Sequence, residues 1–376
     1  MSSDKTYLLA VIGAGEGGLP ILKKAKELDY VKTVAFGHGD SLGKEYADYF
    51  VDVDIFDIDK IVVECKSRKI DGIIGTSEST TEVTARLASF MGLPGNDISQ
   101  GFGAKNKYVM RTRVAHLSSV KQPWFSLYTE SQVYTYPVVV KAVDSCGKRG
   151  ISIARNDEEM AKAIEYAKEY SSDGNVLIEE YLSGGQEYSI ECIAGNGYHD
   201  VVQYTQKDTS GPPHFTEIAH HQPADLSDSL KRRIDKAASD IMIALGINCG
   251  LAHLEIKIIN DDIYFIEIGA RGGGDHIADT LTIKSTDCDY FKAAIDCCLN
   301  LYEHKDIHNI AFTGIYFHCK DNENLKSLFK KAETAEWCIA NTIKNDSFSE
   351  AISNVATSDS GYFIYCSDHK ITINDI

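Results

Sequence analysis

Two short stretches carry residues suited to polyphosphate chemistry. The first runs Val138-Val139-Val140-Lys141-Ala142-Val143 and continues as Asp144-Ser145-Cys146-Gly147-Lys148-Arg149-Gly150. It reads as a buried strand with a lysine near its end, leading into a basic loop that contains glycine. The second, Val176-Leu177-Ile178-Glu179-Glu180-Tyr181-Leu182, reads as an apolar strand ending in two carboxylates. A lysine inside an apolar strand is costly unless something meets its charge. A carboxylate elsewhere in the chain or a bound phosphate would serve. The loop favours phosphate, because glycines let backbone N–H groups approach an anion and Ser145 adds a hydroxyl. It is not a P-loop, since the G-x-x-x-x-G-K-[ST] order is missing. A strand-end carboxylate suits the amino group of a purine. Together the two stretches predict a nucleoside triphosphate held between them and used to activate a carboxylate. Cys146 reads as a small loop residue, with no neighbouring histidine to make it a nucleophile.

A second set lies downstream. Leu251 to Ile258 and Ile263 to Ile268 alternate as paired strands around the turn residues Asn260-Asp261-Asp262. His253, Glu255 and Lys257 share one face of the first strand, and Glu267 ends the second. Two carboxylates facing one way suit magnesium, which takes few carboxylates and keeps phosphate and water for the rest of its shell. Arg271 follows inside Gly269-Ala270-Arg271-Gly272-Gly273-Gly274-Asp275, placed to fork onto a phosphate or carboxylate.

The elements that must position these groups begin with a βαβ pattern. Tyr7 to Ile12 is a strand, Gly13-Ala14-Gly15-Glu16-Gly17-Gly18 a turn, and Leu19 to Leu28 a helix. Strands at 33–36, 50–53 and 71–75 alternate with helices at 41–49, 58–67 and 80–91, which predicts a small parallel sheet. The G-x-G-x-x-G match is weak evidence for NAD, because Asp40 comes late and lies among glycines. Residues 99–117 read as a helix with a basic stripe of Lys105, Lys107, Arg111 and Arg113. Further strands are expected at 123–127, 187–193, 198–203, 313–318, 362–366 and 371–373. Helices are expected at 157–169, 225–245 and 289–299, with Asn156 or Asp157 capping the first and Asp225 or Ser227 the second.

The 376 residues exceed one ordinary core. A net charge of −17 argues against bulk nucleic-acid binding. No apolar run is long enough to span a bilayer, and the N-terminus reads as lacking a signal peptide. Ten cysteines without paired spacing suit a reducing cytoplasm.

The order of these motifs resembles the ATP-grasp ligases, in the branch similar to carbamoyl-phosphate-synthase large-subunit domains and L-amino-acid (dipeptide) ligases. The resemblance covers residues 7 to 300. It implies an α/β fold: a Rossmann-like domain over 1–96, a two-lobed α+β ATP-grasp domain over 97–304 with a lid at about 120–183, and a small α+β region over 305–376. By position, Lys107 and Lys141 match the lysines that hold ATP phosphates, and Ser145 to Gly150, with Gly147, match the lid loop. Glu179 matches the acceptor from adenine N6, with Glu180 and the backbone near Leu182 beside that edge, and Glu187 matches the ribose ligand. Glu255 and Glu267 match ligands of magnesium (or manganese), and Arg271 matches the arginine that stabilises an acyl phosphate.

The family often has asparagine where this chain has Gly269, which puts the number of metal ions in question. The implied reaction joins a small-molecule carboxylate to an amine through an acyl phosphate, with His253 or His221 bordering the amine. Residues 13–18, 76–79, 215–221 and 272–276 are expected to line the substrate pocket. A homodimer is the assembly the resemblance suggests. Bicarbonate or a sugar or cell-envelope precursor as substrate, an NAD-dependent oxidoreductase and a non-catalytic nucleotide sensor are the competing readings.

Overall fold

The computed structural model describes residues 5–211, 216–343, 348 and 361–375. Its strands build three sheets among those residues.

The first sheet is parallel, in the order β3-β2-β1-β4, with β1 at Tyr7–Ile12, β2 at Val31–Gly37, β3 at Tyr49–Asp52 and β4 at Gly72–Ile74. The turn after β1 closes tightly: a Cβ on Gly18 would lie 1.9 Å from the Gly13 carbonyl oxygen, so only glycine fits there. Helix α1 (Leu19–Lys26) follows, then α2 (Ile58–Arg68) and α3 (Thr81–Met91). Residues 41–49 do not form the expected helix. They hold one 3-10 turn at Lys44–Tyr46. The Gly43 amide is drawn onto the Ala14 carbonyl, and Asp48 bonds the backbone and hydroxyl of Thr33. Both ties pull the chain away from an i to i−4 ladder.

The expected helix at 99–117 shrinks to α4, Lys107–Val114. Gly101 takes a positive φ, and Asn106 starts the helix by accepting from the Val109 amide. That start sets the basic stripe: Lys107 and Arg111 turn inward, whereas Lys105 is left outside.

The second sheet is antiparallel, in the order β5-β8-β6-β7: β5 at Phe125–Leu127, β6 at Val138–Ala142, β7 at Ile151–Ala154 and β8 at Val176–Glu180. Strand β7 was not expected from the sequence. Helix α5 (Asp157–Glu169), capped by Asn156, buries Met160, Ala163, Ile164 and Ala167 against Val138, Val140, Val176 and Ile178.

The third sheet has the order β13-β12-β9-β10-β11-β14-β16-β15. Its strands are β9 (Gln186–Gly195), β10 (Tyr198–Thr209), β11 (Glu217–Gln222), β12 (Gly250–Ile259), β13 (Asp262–Gly269), β14 (Phe312–Phe317), β15 (Cys338–Asn341) and β16 (Tyr362–Ser367). The last three come from the tail, which therefore continues this sheet through the β11–β14 pairing. Helix α6 (Asp228–Leu245), capped by Ser227, packs its apolar stripe under β9, β12 and β13. Helix α7 (Tyr290–Cys298) is shared: Tyr290, Phe291, Ile295 and Cys298 cluster with Leu9 and Val11 of the first sheet and Leu22 of α1 as well as with Ile193 and Leu251 of the third sheet. The expected strand at 371–373 is absent. The Asp375 carboxylate takes the Thr372 amide and hydroxyl, and Tyr316 donates to the Ile371 carbonyl, so side chains use the bonds a ladder would need.

Among the described residues no helix is long and apolar enough to cross a membrane.

Candidate active site

The lysine that ends β6 meets a carboxylate of the same sheet. Val139 lies opposite Glu179 and Lys141 opposite Leu177, so Lys141 and Glu179 share a face diagonally. Lys141 Nζ is 2.6 Å from Glu179 Oε2, and Arg111 Nε of α4 is 2.6 Å from Oε1. Arg111 also donates to the Phe265 carbonyl on β13 at 2.8 Å. Glu179 is 2% exposed. Burial pushes its carboxyl up, but Arg111 and Lys141 overcome that and hold it down at about 2.

Glu179 was expected to accept from adenine, yet its side chain is the counter-ion of two buried cations. Only the exposed Glu180, whose Oε2 takes the Trp124 amide at 3.2 Å, and the half-buried Leu182 continue beyond it. The role of Arg111 went unseen because a cationic stripe on a helix ordinarily faces water. One turn before it, Lys107 is buried and donates to the Ser145 carbonyl at 2.6 Å, with Glu267 Oε2 at 3.4 Å. Lys107 thus ties α4 to the lid loop and to β13. In that loop Gly147, Lys148 and Gly150 all take left-handed φ, and Lys148 reaches Glu217 of β11 at 2.7 Å.

The third sheet supplies a polar face in rows. Lys257, Glu187, Lys207 and His220 stand in one row across β12, β9, β10 and β11. The next row includes Glu267, Glu255 and Ser189. A bulge in β13 beside Glu255 lets Phe265 and Ile268 both enter the core while Glu267 turns to the Glu255 face. Glu255 lies 2.7 Å from Lys207 Nζ, which is itself 3.2 Å from Glu217. Burial works against the Lys207 ammonium, yet Glu217 and Glu255 raise its pKa well above the ordinary range. Glu187 meets Lys257 at 3.5 Å. Lys207 was missed because β10 runs on to Thr209, past the expected end at Gln203.

The histidines separate cleanly. His253 bonds Glu191 through Nδ1 and lies 3.4 Å from Glu255 through Nε2. Burial lowers its pKa, but the two carboxylates lift it to about 9. His221 points to the opposite side of the sheet, onto Tyr365 at 2.9 Å, and burial pushes it down to about 4 despite Asp208. Neither is among the residues that line the cavity beside Arg271.

Arg271 is held by a residue of the first sheet's loops. Its Nε lies 2.8 Å from Glu78 Oε2, in the loop after β4, and Nη1 donates to the Gly272 carbonyl at 2.9 Å. A Cβ at Gly269 would come within 3.3 Å of both Glu78 Oε2 and Arg271 Cγ. Glycine here, where the family often has asparagine, leaves the space this ion pair fills. Beside it opens a cavity of about 450 Å³, bordered by Glu16, Ser77, Glu78, Arg271, Asp275 and Tyr362 among others. Residues from 13–18, 76–79 and 272–276 thus converge as expected. From 215–221, Phe215 lies outside the described residues, and the rest do not reach the wall. Among the described residues no three His, Cys, Asp or Glu side chains cluster as a ready-made metal site.

A profile of the ATP-grasp domain matches residues 134–279. The chain is 26% identical over 279 residues to the alanine–anticapsin ligase of Bacillus subtilis, covering 66% of this chain and 58% of that one. It is 25% identical over 342 residues to pyruvate carboxylase of Staphylococcus aureus, covering 81% of this chain and 29% of that one. The chain therefore spans less than two thirds of the length of these curated relatives. Among solved structures, the L-amino acid ligase from Bacillus licheniformis superposes with a TM-score of 0.76 at 18% identity, covering 98% of this chain and 95% of that one.

Proposed function

With an ATP-grasp domain in the chain, we propose that it is an ATP-dependent carboxylate–amine ligase acting on small, amino-acid-like molecules. One observation carries the reading. Two buried lysines from different elements, a facing pair of carboxylates and Arg271 all converge, and Arg271 stands at the edge of a cavity of about 450 Å³.

Lys107 and Lys141 hold the ATP phosphates, and the Ser145–Gly150 loop covers them with its backbone amides. Glu179 holds Lys141 in place. The adenine edge falls to the backbone from Glu180 to Leu182, and the ribose to Glu187. The substrate carboxylate attacks the γ-phosphate, giving an acyl phosphate and ADP. An amine then displaces phosphate to form an amide. Arg271 stabilises the acyl phosphate and the tetrahedral intermediate formed from it. The chain's part is position and positive charge rather than covalent chemistry.

Glu255 and Glu267 fit magnesium or manganese. They face one another across β12 and β13, and both already attract cations: Lys207 and His253 lie at Glu255, and Lys107 lies near Glu267. A bound divalent ion supplies charge neutralisation at the transferring phosphoryl group.

The test is ADP and phosphate release from Mg-ATP with a panel of amino acids and other small carboxylates, bicarbonate included. Carboxylate-plus-amine stimulation that is lost in Lys141→Ala, in Glu267→Ala and on chelation is the expected result. Stimulation by bicarbonate alone, or NAD(H) binding with no ATP turnover, overturns it.

A further inference from the structure

An incoming amine reaches such a site as an ammonium ion and must shed a proton before it can attack. The residues assigned above leave that proton without an acceptor. His253 is occupied by two carboxylates, and His221 faces away. A third histidine stands near the cavity. His220 of β11 is completely buried, and neither ring nitrogen has a hydrogen-bond partner. A buried imidazole in that state costs free energy. Its ring packs edge-on against Phe317, which lines the cavity, and its Nε2 is 3.8 Å from Asp275 Oδ2. Asp275 lines the cavity four residues past Arg271 and takes a left-handed φ of 51° after three glycines. The 3.8 Å gap is too long for a hydrogen bond. A shift of about 1 Å in that turn closes it.

We propose that Asp275 accepts the proton of the incoming ammonium and that His220, behind it, positions Asp275 and draws the proton onward. The inference rests on the ligase reading. In the step, an N–H bond of the ammonium breaks and its proton passes to the Asp275 carboxylate and on to His220 Nε2. The freed lone pair forms the C–N bond to the acyl carbon. The C–O bond to phosphate breaks and phosphate leaves with that electron pair. The second proton lost from nitrogen goes to the departing phosphate. The charged groups facing the pair are Lys207 on β10, Glu217 on β11 itself, and Lys148 of the lid loop, which is bonded to Glu217. His276, next in the turn, is bonded to Asp279, and β14 presents Ile315 and Phe317.

Hydroxylamine separates this step from carboxylate activation, because it is a neutral nucleophile at pH 7 and needs no proton acceptor. The full chain is given Mg-ATP and a mixture of the twenty L-amino acids, with or without hydroxylamine. Hydroxamate and dipeptide are then measured for wild type, His220→Asn and Asp275→Asn. Asparagine tolerates the left-handed backbone at 275, so that variant keeps the turn. Dipeptide formation at pH 7 should fall about 100-fold or more in both variants and recover as pH rises toward the amine's own pKa. Hydroxamate formation should fall by no more than a few-fold. Equal losses of both products would make His220 a packing residue and overturn the proposal, as would no loss of either. Absence of hydroxamate from wild type would remove the ligase reading itself.

Discussion

The half of the candidate site around Glu179, proposed to hold nucleotide, and the half around Asp275, proposed to hold the acceptor, are built on opposite principles. Glu179 and the cations it meets are buried and matched: Arg111 and Lys141 take its two oxygens, and Lys107 is bonded to Ser145. Glu179, Lys141, Arg111 and Lys107 all stand on regular strand or helix. Around Asp275 the chain runs through three glycines and two left-handed residues, and a buried histidine has no partner. Matched charges on regular elements leave one arrangement open. Glycines and an unpartnered imidazole leave slack that a substrate can take up. The difference is what the proposed function requires, one invariant phosphate chain and a variable small molecule.

Breaking the matched half should have the largest effects. Lys141→Ala should reduce ligation by about 10²–10³-fold or more, read as kcat/KM for ATP, with Glu267→Ala similar. Arg111→Met removes one of the two cations at a buried carboxylate and should destabilise the fold by about 3–5 kcal/mol in urea denaturation.

The pH dependence sharpens the same contrast. Glu179 sits at about 2 in the fold against an ordinary value of 4.5, so its contribution is complete above the ordinary value and is lost as pH falls toward about 2. The stability advantage of wild type over Glu179→Gln should therefore shrink as pH is lowered from about 5 to about 3, as followed by urea midpoints.

The acceptor half should respond more mildly. Gly269→Asn crowds Arg271 and Glu78 and should lower kcat/KM for the carboxylate by about tenfold with little change in stability. Loss of stability with unchanged kinetics would mean that the ion pair serves the fold alone. At the bottom of the scale, Lys105→Ala breaks an exposed pair with Glu82 and should cost less than about 0.5 kcal/mol. Lys105 and Lys107 are two residues apart, and the start of one helix decides which of them matters.

Much of the site was legible because its chemistry is local. Lys141 stands out against valines, Glu255 and Glu267 sit on alternating strands, and Arg271 sits among glycines. Glu179 was found but given a different partner, because a strand-end carboxylate does not announce which cation it faces. Arg111 and Lys207 were not assigned to the site, and Glu78 and His220 fell within stretches expected at the pocket without a role of their own. Arg111 looked like a solvated face, Lys207 lay beyond the expected end of its strand, and Glu78 acts on a residue nearly two hundred positions away.

The sequence by itself determined the alternation of strands and helices, the capped helix starts at 156–157 and 225–227, the glycine turns and the order of the cationic and acidic motifs. Hydrophobic period, capping chemistry and turn propensity act within a few residues, so they are written where they act. Tertiary structure alone decided the row that aligns Lys257, Glu187, Lys207 and His220, the bulge that aims Glu267, and the joining of the tail to the third sheet. It also decided the pairing of Arg271 with Glu78. Each depends on strand register or on the docking of one domain against another. A shift of one residue in register reverses the face of every side chain on a strand, and no local pattern records which partner a buried charge will meet.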